Sequence, residues 1–300
     1  MFDYTGKVAA ITGAASGLGK ELAMQLADKG VKYFALADMR GEVLHETAAE
    51  LRAKGVEVVS AVFNVSSSED FEAFSRVVFS RFGRCDLFFN NAGTGPNHVA
   101  WETPMADWEW VFDVNVLGVV RGINAFVPKM IDSGVECCVF NTSSLAGLAC
   151  FWGAAAYIAS KHAVLGLTEV LELDLRKFDT KVKAYAICPG VCKSNLYRCD
   201  TYRPNGENWK PDGPAYQSEG YLEIAARSVG SQGWGMDTDK AVTAILNDFE
   251  QDKFILLTHP EVGPRCEARY HRYLSEHLRP LYVQPKEVTD SLKDFHKSRS

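Results

Sequence analysis

The sequence predicts an α/β fold, a doubly wound parallel sheet with helices on both faces. Three observations predict it. Seven short apolar runs recur along the 300 residues. They alternate with segments of helical periodicity. The runs are continuously apolar rather than alternating, which is how strands read when helices cover both faces.

Each element follows in order. Val8–Ile11 is the first run, and residues 17–29 place Leu18, Leu22 and Leu26 on one helical stripe. Tyr33–Ala37 precedes a helix over 41–54, and Val56–Phe63 precedes one over 68–82. Leu87–Phe89 is followed by one long helix over 107–131. Residues 138–140 lead to a helix over 154–178, and 182–187 is the sixth run. A helix over 240–250 and the run 254–257 close the series. Residues 195–235 break this rhythm with Pro, Gly, Asn and the aromatics Tyr197, Tyr202, Trp209, Tyr216, Tyr221 and Trp234. An insertion of that length in a compact domain points to a lid over a site. The expected organisation is one domain over 1–262, including the 195–235 insertion, and a helical then polar extension over 263–300.

Composition narrows the function. Apolar residues make up 47% and charged residues 23%, as in ordinary soluble chains. A net charge of −6 gives no electrostatic footprint for nucleic acid or anionic lipid. The first residues show no leader pattern. The stretch 110–128 contains Asp113, Asn115, Arg121 and Asn124 and reads as too polar to span a bilayer. Eight scattered cysteines without a Cys-x-x-Cys read as reduced thiols of a cytoplasmic protein. His98 reads as a loop histidine, and His271 and His277 lack a third ligand nearby, so no metal is expected.

Thr12-Gly13-Ala14-Ala15-Ser16-Gly17-Leu18-Gly19 joins the first strand to the first helix. Glycine admits positive φ and removes a Cβ that would block a close ligand. The free N–H groups of a helix N-terminus suit a pyrophosphate. Gly13, Ser16, Gly17, Leu18 and Gly19 are therefore candidate dinucleotide contacts, as in a Rossmann fold. Asp38 ends the second run, 25 residues after Gly13 (38 − 13). A carboxylate there can accept both adenosine ribose hydroxyls and repels a 2′-phosphate, which favours NAD over NADP. Arg40 nearby could instead pair with a 2′-phosphate, and Asp38 could simply cap the helix beginning near Gly41.

Tyr157 and Lys161 stand four apart, on one helical face. A phenol with a pKa of about 10 is a poor base at neutral pH. A nearby ammonium favours phenolate. The phenolate can then take an alcohol proton as hydride leaves, and the phenol can protonate a carbonyl oxygen in reverse.

With these motifs in place, the chain resembles the short-chain dehydrogenase/reductase superfamily. Thr12–Gly19, Asn90-Asn91-Ala92-Gly93, Asn115-Val116-Leu117-Gly118, Ser143-Ser144, Tyr157/Lys161 and Pro189-Gly190 occur in that family's order across about residues 7–260. The resemblance implies an NAD-dependent enzyme. Tyr157 would be the acid/base, with Lys161 lowering its pKa and holding the nicotinamide ribose. The family's catalytic serine stands thirteen residues before the tyrosine, which selects Ser144 over Ser143 as the group that polarises the substrate oxygen. Asn115 would help hold a water that relays protons, or correct a helix kink. Asn91 and Gly93 would sit beside the adenosine ribose, and Pro189-Gly190 against the nicotinamide. Asn64-Val65 stands where the family commonly has Asp-Val at the adenine, and Ser194 where it has threonine at the carboxamide.

For substrate, Gly95, Pro96, Cys150, Phe151, Trp152 and the insertion are candidate lining, with Trp152 the best placed. Aromatics there suit a bulky or aryl alcohol. Lys193-Ser194-Asn195-Leu196, the insertion and the long tail are similar to bacterial Cα-dehydrogenases of lignin-derived aryl ethers, which implies oxidation of a secondary aryl alcohol to a ketone. The competing readings are an NADPH-dependent carbonyl reductase and a non-catalytic dinucleotide sensor. A homodimer or homotetramer through the helices near 107–131 and 154–178 is what the resemblance implies.

Overall fold

The seven strands of the computed structural model are β1 (Val8–Thr12), β2 (Tyr33–Asp38), β3 (Glu57–Val62), β4 (Leu87–Asn90), β5 (Cys137–Thr142), β6 (Val182–Cys188) and β7 (Ile255–Leu257). The structure describes residues 2–96, 98–203 and 216–280, so Trp209 and residues 281–300 lie outside it. All strand pairs are parallel, and their order is β3-β2-β1-β4-β5-β6-β7. The winding reverses between β1 and β4. In such sheets the ligand crevice lies at that reversal, beyond the carboxyl ends of the strands.

Successive residues of β1 serve opposite faces, as the period of two requires. Ala9 and Ile11 join the core under α1 (Gly17–Lys29), α2 (Gly41–Ala53) and α8 (Thr238–Glu250). Val8 and Ala10 join the core under α3 (Ser68–Phe82), α5 (Gly118–Asp132) and α6 (Ala155–Lys177). Aromatic pairs lock each side. Phe89 stacks on Phe140 at 4.2 Å on one face, and Phe88 on Phe126 at 4.0 Å on the other. Fully burying such a ring stabilises the fold by about 1.5–3 kcal/mol.

The expected single helix over 107–131 is instead α4 (Met105–Phe112), a π-helical turn (Asp113–Leu117) and α5. The stretch is also more apolar than its polar residues suggested. Met105–Asp132 is long and apolar enough to cross a membrane by length and composition. More than half of that apolar window is buried inside the protein, so it is a core helix.

The described parts of the insertion, residues 195–203 and 216–235, are more regular than its composition predicts. The insertion opens with a 3-10 segment (Asn195–Tyr202) and contains α7 (Glu219–Trp234). The Ser218 hydroxyl caps α7 by accepting from the Tyr221 N–H at 3.1 Å. Beyond β7, α9 (Gly263–Leu274) docks back on the body, where Arg269 donates to the Leu148 carbonyl at 2.9 Å.

Candidate active site

The carboxyl ends of β1, β4, β5 and β6 and the start of the insertion enclose one cleft of about 220 Å³. On its β1 side lie Gly13, Ser16, Gly17 and Leu18. Gly13 and Gly17 adopt φ of +67° and +57°, where a side chain would be strained. Gly19 lies beneath the turn rather than in the cleft. A Cβ on it would stand 2.2 Å from the Gly13 carbonyl oxygen. The N-terminus of α1 has no side-chain cap and no acidic residue in its first turn. Its free N–H groups and positive dipole end are open to an anion. This cradle fits a dinucleotide pyrophosphate.

The floor of the cleft is hydrogen-bonded across the β1–β4 reversal. Thr12 Oγ1 accepts from the Asn91 and Ala92 N–H groups at 3.0 and 3.1 Å. Asn91 Nδ2 donates to the Thr12 carbonyl at 3.0 Å and to the Gly13 carbonyl at 3.3 Å. The Asn91 side chain is therefore tied to the glycine turn, and the residue lines the cleft beside it. Gly93 faces the cleft, and a Cβ there would meet Asn115 Oδ1 at 3.3 Å and Lys161 Nζ at 3.4 Å.

Asp38 is buried at the end of β2 and accepts from the Ala15 N–H at 3.1 Å and the Arg40 N–H at 3.0 Å. It does not cap α2, whose N-cap position is Arg40. The Arg40 guanidinium clamps the same carboxylate, with Nε at 3.1 Å from Oδ1 and Nη2 at 3.2 Å from Oδ2. Arg40 also donates to Ser16 Oγ at 2.8 Å and to the Tyr202 hydroxyl at 3.4 Å, with its guanidinium over that ring. Tyr202 thus ties the insertion to the rim. Asn64 and Val65 line the far wall, and Pro189 and Ser194 the near one. Gly190 lies outside this cleft. Its N–H donates to Thr258 Oγ1 at 2.8 Å, and a Cβ would collide with the His259 ring.

Tyr157 and Lys161 face the cleft from α6. Lys161 Nζ donates to the Thr142 carbonyl at 2.8 Å and lies 5.6 Å from the Tyr157 ring centre. Burial pulls the Lys161 ammonium down to about 8. Burial likewise raises the Tyr157 phenol, while a hydrogen bond with Ser144 pulls it the other way. The expected lowering of the phenol by Lys161 is not what dominates here. Both groups lose their water in one pocket, and the amine is turned to a backbone carbonyl.

Ser144 Oγ donates to the Pro189 carbonyl at 3.3 Å and accepts from the Ala146 N–H at 3.1 Å. Ser143 is spent elsewhere, its hydroxyl donating to the Lys161 carbonyl at 2.7 Å. Asn115 lies in the π-helical turn, fully buried. Its Nδ2 donates to the Thr94 carbonyl at 2.8 Å and to Ser160 Oγ at 3.0 Å, and its Oδ1 accepts from the Thr94 N–H at 2.8 Å. That side chain pins the β4 loop to α6.

Trp152 does not line the cleft. It borders a second depression of about 400 Å³ with Val99, Trp101, Phe151 and Ala155. Its carbonyl accepts from Arg227 of α7 at 3.3 Å, and the guanidinium covers its ring.

One buried group escaped the sequence reading. Asp107 accepts from both Nη atoms of Arg203, the second at 3.1 Å, and from the Tyr216 hydroxyl at 3.2 Å. His98 Nε2 lies 3.1 Å from Asp107 Oδ2, and its ring stacks on Tyr221 at 4.7 Å. These contacts join Arg203 and Tyr216 of the insertion to Asp107 of α4. Only the aromatic residues of the insertion hinted at them.

Residues 7–201 match the family model of short chain dehydrogenases. A CLA biosynthesis dehydrogenase/reductase of Lactiplantibacillus plantarum is 33% identical over 285 residues, covering 94% of this chain and 98% of that one. A 1-deoxy-11-beta-hydroxypentalenate dehydrogenase of Streptomyces avermitilis is 30% identical over 265 residues, with 88% of each covered. Among solved structures, a short chain dehydrogenase/reductase from Burkholderia phymatum in complex with NAD superposes with a TM-score of 0.89 at 32% identity, covering 95% of this chain and 100% of that one. The apo form of LigD from Sphingobium sp. strain SYK-6 does so with a TM-score of 0.73 at 25% identity, covering 93% and 100%.

Proposed function

Because this chain belongs to the short chain dehydrogenase family, and is an oxidoreductase of it, we propose that it interconverts a secondary alcohol and a ketone with NAD. The carrying observation is that Tyr157 and Lys161 stand at one end of a cleft, with Ser144 hydrogen-bonded to Tyr157 beyond its lining, while the other end offers an uncapped helix N-terminus and Asp38.

In this reading Gly13, Ser16, Gly17 and Leu18 hold the pyrophosphate, and Asn64 and Val65 flank the adenine. Gly19 keeps α1 close beneath. Gly93 leaves room for Lys161 to reach a ribose, and Pro189, Gly190 and Ser194 shape the nicotinamide side. The bound nicotinamide supplies or accepts the hydride. Tyr157 gives its phenolic proton to the carbonyl oxygen in reduction and takes it back in oxidation. Ser144 donates to the same oxygen and holds it beside the phenol. Lys161 steadies the ribose and, with its pKa near neutrality, relays charge to Tyr157. The Asn115 side chain holds the π-helical turn and the β4 loop in place, and in this reading Asn115 helps hold a water that relays protons.

Asp38 supports NAD, because its buried carboxylate repels a 2′-phosphate. Arg40 on the same rim is the observation that favours the second reading, an NADPH-dependent carbonyl reductase. The depression beside Trp152 supports a bulky or aromatic substituent on the carbinol carbon. We further take residues 1–262 as the dehydrogenase unit, in the cytoplasm. Exposed Val170, Leu173 and Phe178 along α6 support a homodimer or homotetramer. Tyr157→Phe tests the central claim. Turnover should fall by about 10²–10⁴ while dinucleotide affinity, read by fluorescence titration, stays within about threefold. Undiminished turnover with cofactor bound removes Tyr157 as the acid/base. A panel of alcohols tests the substrate class, and it is overturned if small aliphatic alcohols turn over as well as aryl carbinols.

A further inference from the structure

All eight cysteines are free thiols. Five are buried, and burial raises every one of them. Part-exposed Cys192 and Cys266 are raised as well. Cys150 differs on both counts, being exposed and moved downward. It sits in the loop between the Ser144 turn and α6, and it is not alone there.

Two basic side chains from different helices converge on it. Arg269 of α9 donates from Nη2 to Cys150 Sγ at 3.2 Å and from Nη1 to the Leu148 carbonyl at 2.9 Å. His162 of α6 is the strongest influence on the Cys150 thiol and favours its charged form. The His162 Nδ1 lies 3.0 Å from the Ile158 carbonyl. A carbonyl only accepts, so Nδ1 carries the hydrogen and Nε2 presents its lone pair. That Nε2 is buried and has no hydrogen-bond partner among the described residues. His162 and Arg269 are the charged groups that act on Cys150 from the elements packed around it. An imidazole base on one side and a fixed guanidinium on the other are the surroundings that make a cysteine nucleophilic.

We propose that Cys150, His162 and Arg269 form a reactive-thiolate site, a modification site for hydroperoxides and other soft electrophiles, separate from the Tyr157 chemistry. The thiol proton moves to His162 Nε2, and Arg269 stabilises the thiolate. Attack on a hydroperoxide forms the S–O bond and breaks the O–O bond. Sulfur is oxidised to the sulfenic acid and the peroxide is reduced to an alcohol, or to water for hydrogen peroxide. The His162 imidazolium returns its proton to the departing oxygen. With iodoacetamide the S–C bond forms and iodide leaves.

The test uses the full chain and needs no dehydrogenase substrate. Limited iodoacetamide is added between pH 5 and 9, and peptide mass spectrometry follows each cysteine; hydrogen peroxide with dimedone traps the sulfenic acid. At pH 7 Cys150 should be modified at least about tenfold faster than Cys192 or Cys266. His162→Gln and Arg269→Gln should each slow it and move its pH midpoint upward. Cys150→Ser should remove the fast reaction and the dimedone adduct. The proposal is overturned if Cys150 reacts no faster than Cys266. It is equally overturned if neither the His162 nor the Arg269 variant changes its rate and midpoint. The two variants lie on different helices, so misfolding of one leaves the other as the test.

Discussion

Replacing Lys161 by methionine should make the protein more stable at pH 7. Lys161 is 3% exposed and makes one hydrogen bond, to the Thr142 carbonyl at 2.8 Å. Its ammonium falls from 10.5 to about 8 through burial. At ~1.4 kcal/mol for each pKa unit, the folded state carries about 3 kcal/mol against that charge wherever it is protonated. Methionine fills similar space without the charge, and the lost hydrogen bond costs about 1 kcal/mol. The variant should therefore gain about 2 kcal/mol at pH 7. Between pH 8 and 10.5 the unfolded chain keeps the lysine proton and the folded chain does not, so wild-type stability rises with pH across that window. Below pH 8 the penalty is fully present, and above 10.5 it is gone. The advantage of Lys161→Met should shrink through the window and reverse near its top. Urea unfolding of both proteins at pH 7, 8.5 and 10, followed by tryptophan fluorescence, measures the gap, and other titrating groups cancel in the difference. A wild type more stable at pH 7, or a gap that ignores pH, refutes the reasoning.

Two further substitutions probe the dinucleotide end. Gly19→Ala places a methyl 2.2 Å from the Gly13 carbonyl oxygen and 2.6 Å from Asn91 Nδ2. Both neighbours belong to the floor, so overpacking should cost about 1–3 kcal/mol in thermal or urea unfolding and weaken dinucleotide binding by titration; unchanged stability and affinity would show that the turn yields freely. Asp38→Ala removes the proposed ribose acceptor and frees Arg40 from its ion pair. The NADP-to-NAD ratio of kcat/KM should rise by about 10², and an unmoved ratio would mean that Asp38 does not set cofactor choice.

The sheet was legible because its strands are buried on both faces. Val8–Thr12 and Cys137–Thr142 bury every residue, so they stand out as unbroken apolar runs. Helices were legible where one stripe meets the core, as with Leu22 and Leu26 of α1. The π-helical turn was not, because a one-residue shift in backbone hydrogen bonding leaves the apolar spacing of 107–131 nearly intact. Helix α7 was hidden by Gly220, Gly230 and Gly233, which lower intrinsic helix propensity; its Ser218 cap and buried Ile224 support it. At the candidate site, the Tyr157–Lys161 spacing put both residues on one face, and both line the cleft. The burial that raises Tyr157 and lowers Lys161 depends on residues far away in the chain. So do the double bond of Asn91 to the glycine turn and the Asp107–Arg203 pair. Pairings between distant segments leave no local periodicity to read.

The bonds among Thr12, Gly13, Asn91 and Ala92 bear on how tightly a nucleotide can be held. They complete the glycine turn with protein partners alone, so the conformational entropy of ordering that platform is lost when the chain folds. Little of it is left to be lost at docking, and more of the contact energy is then retained as affinity.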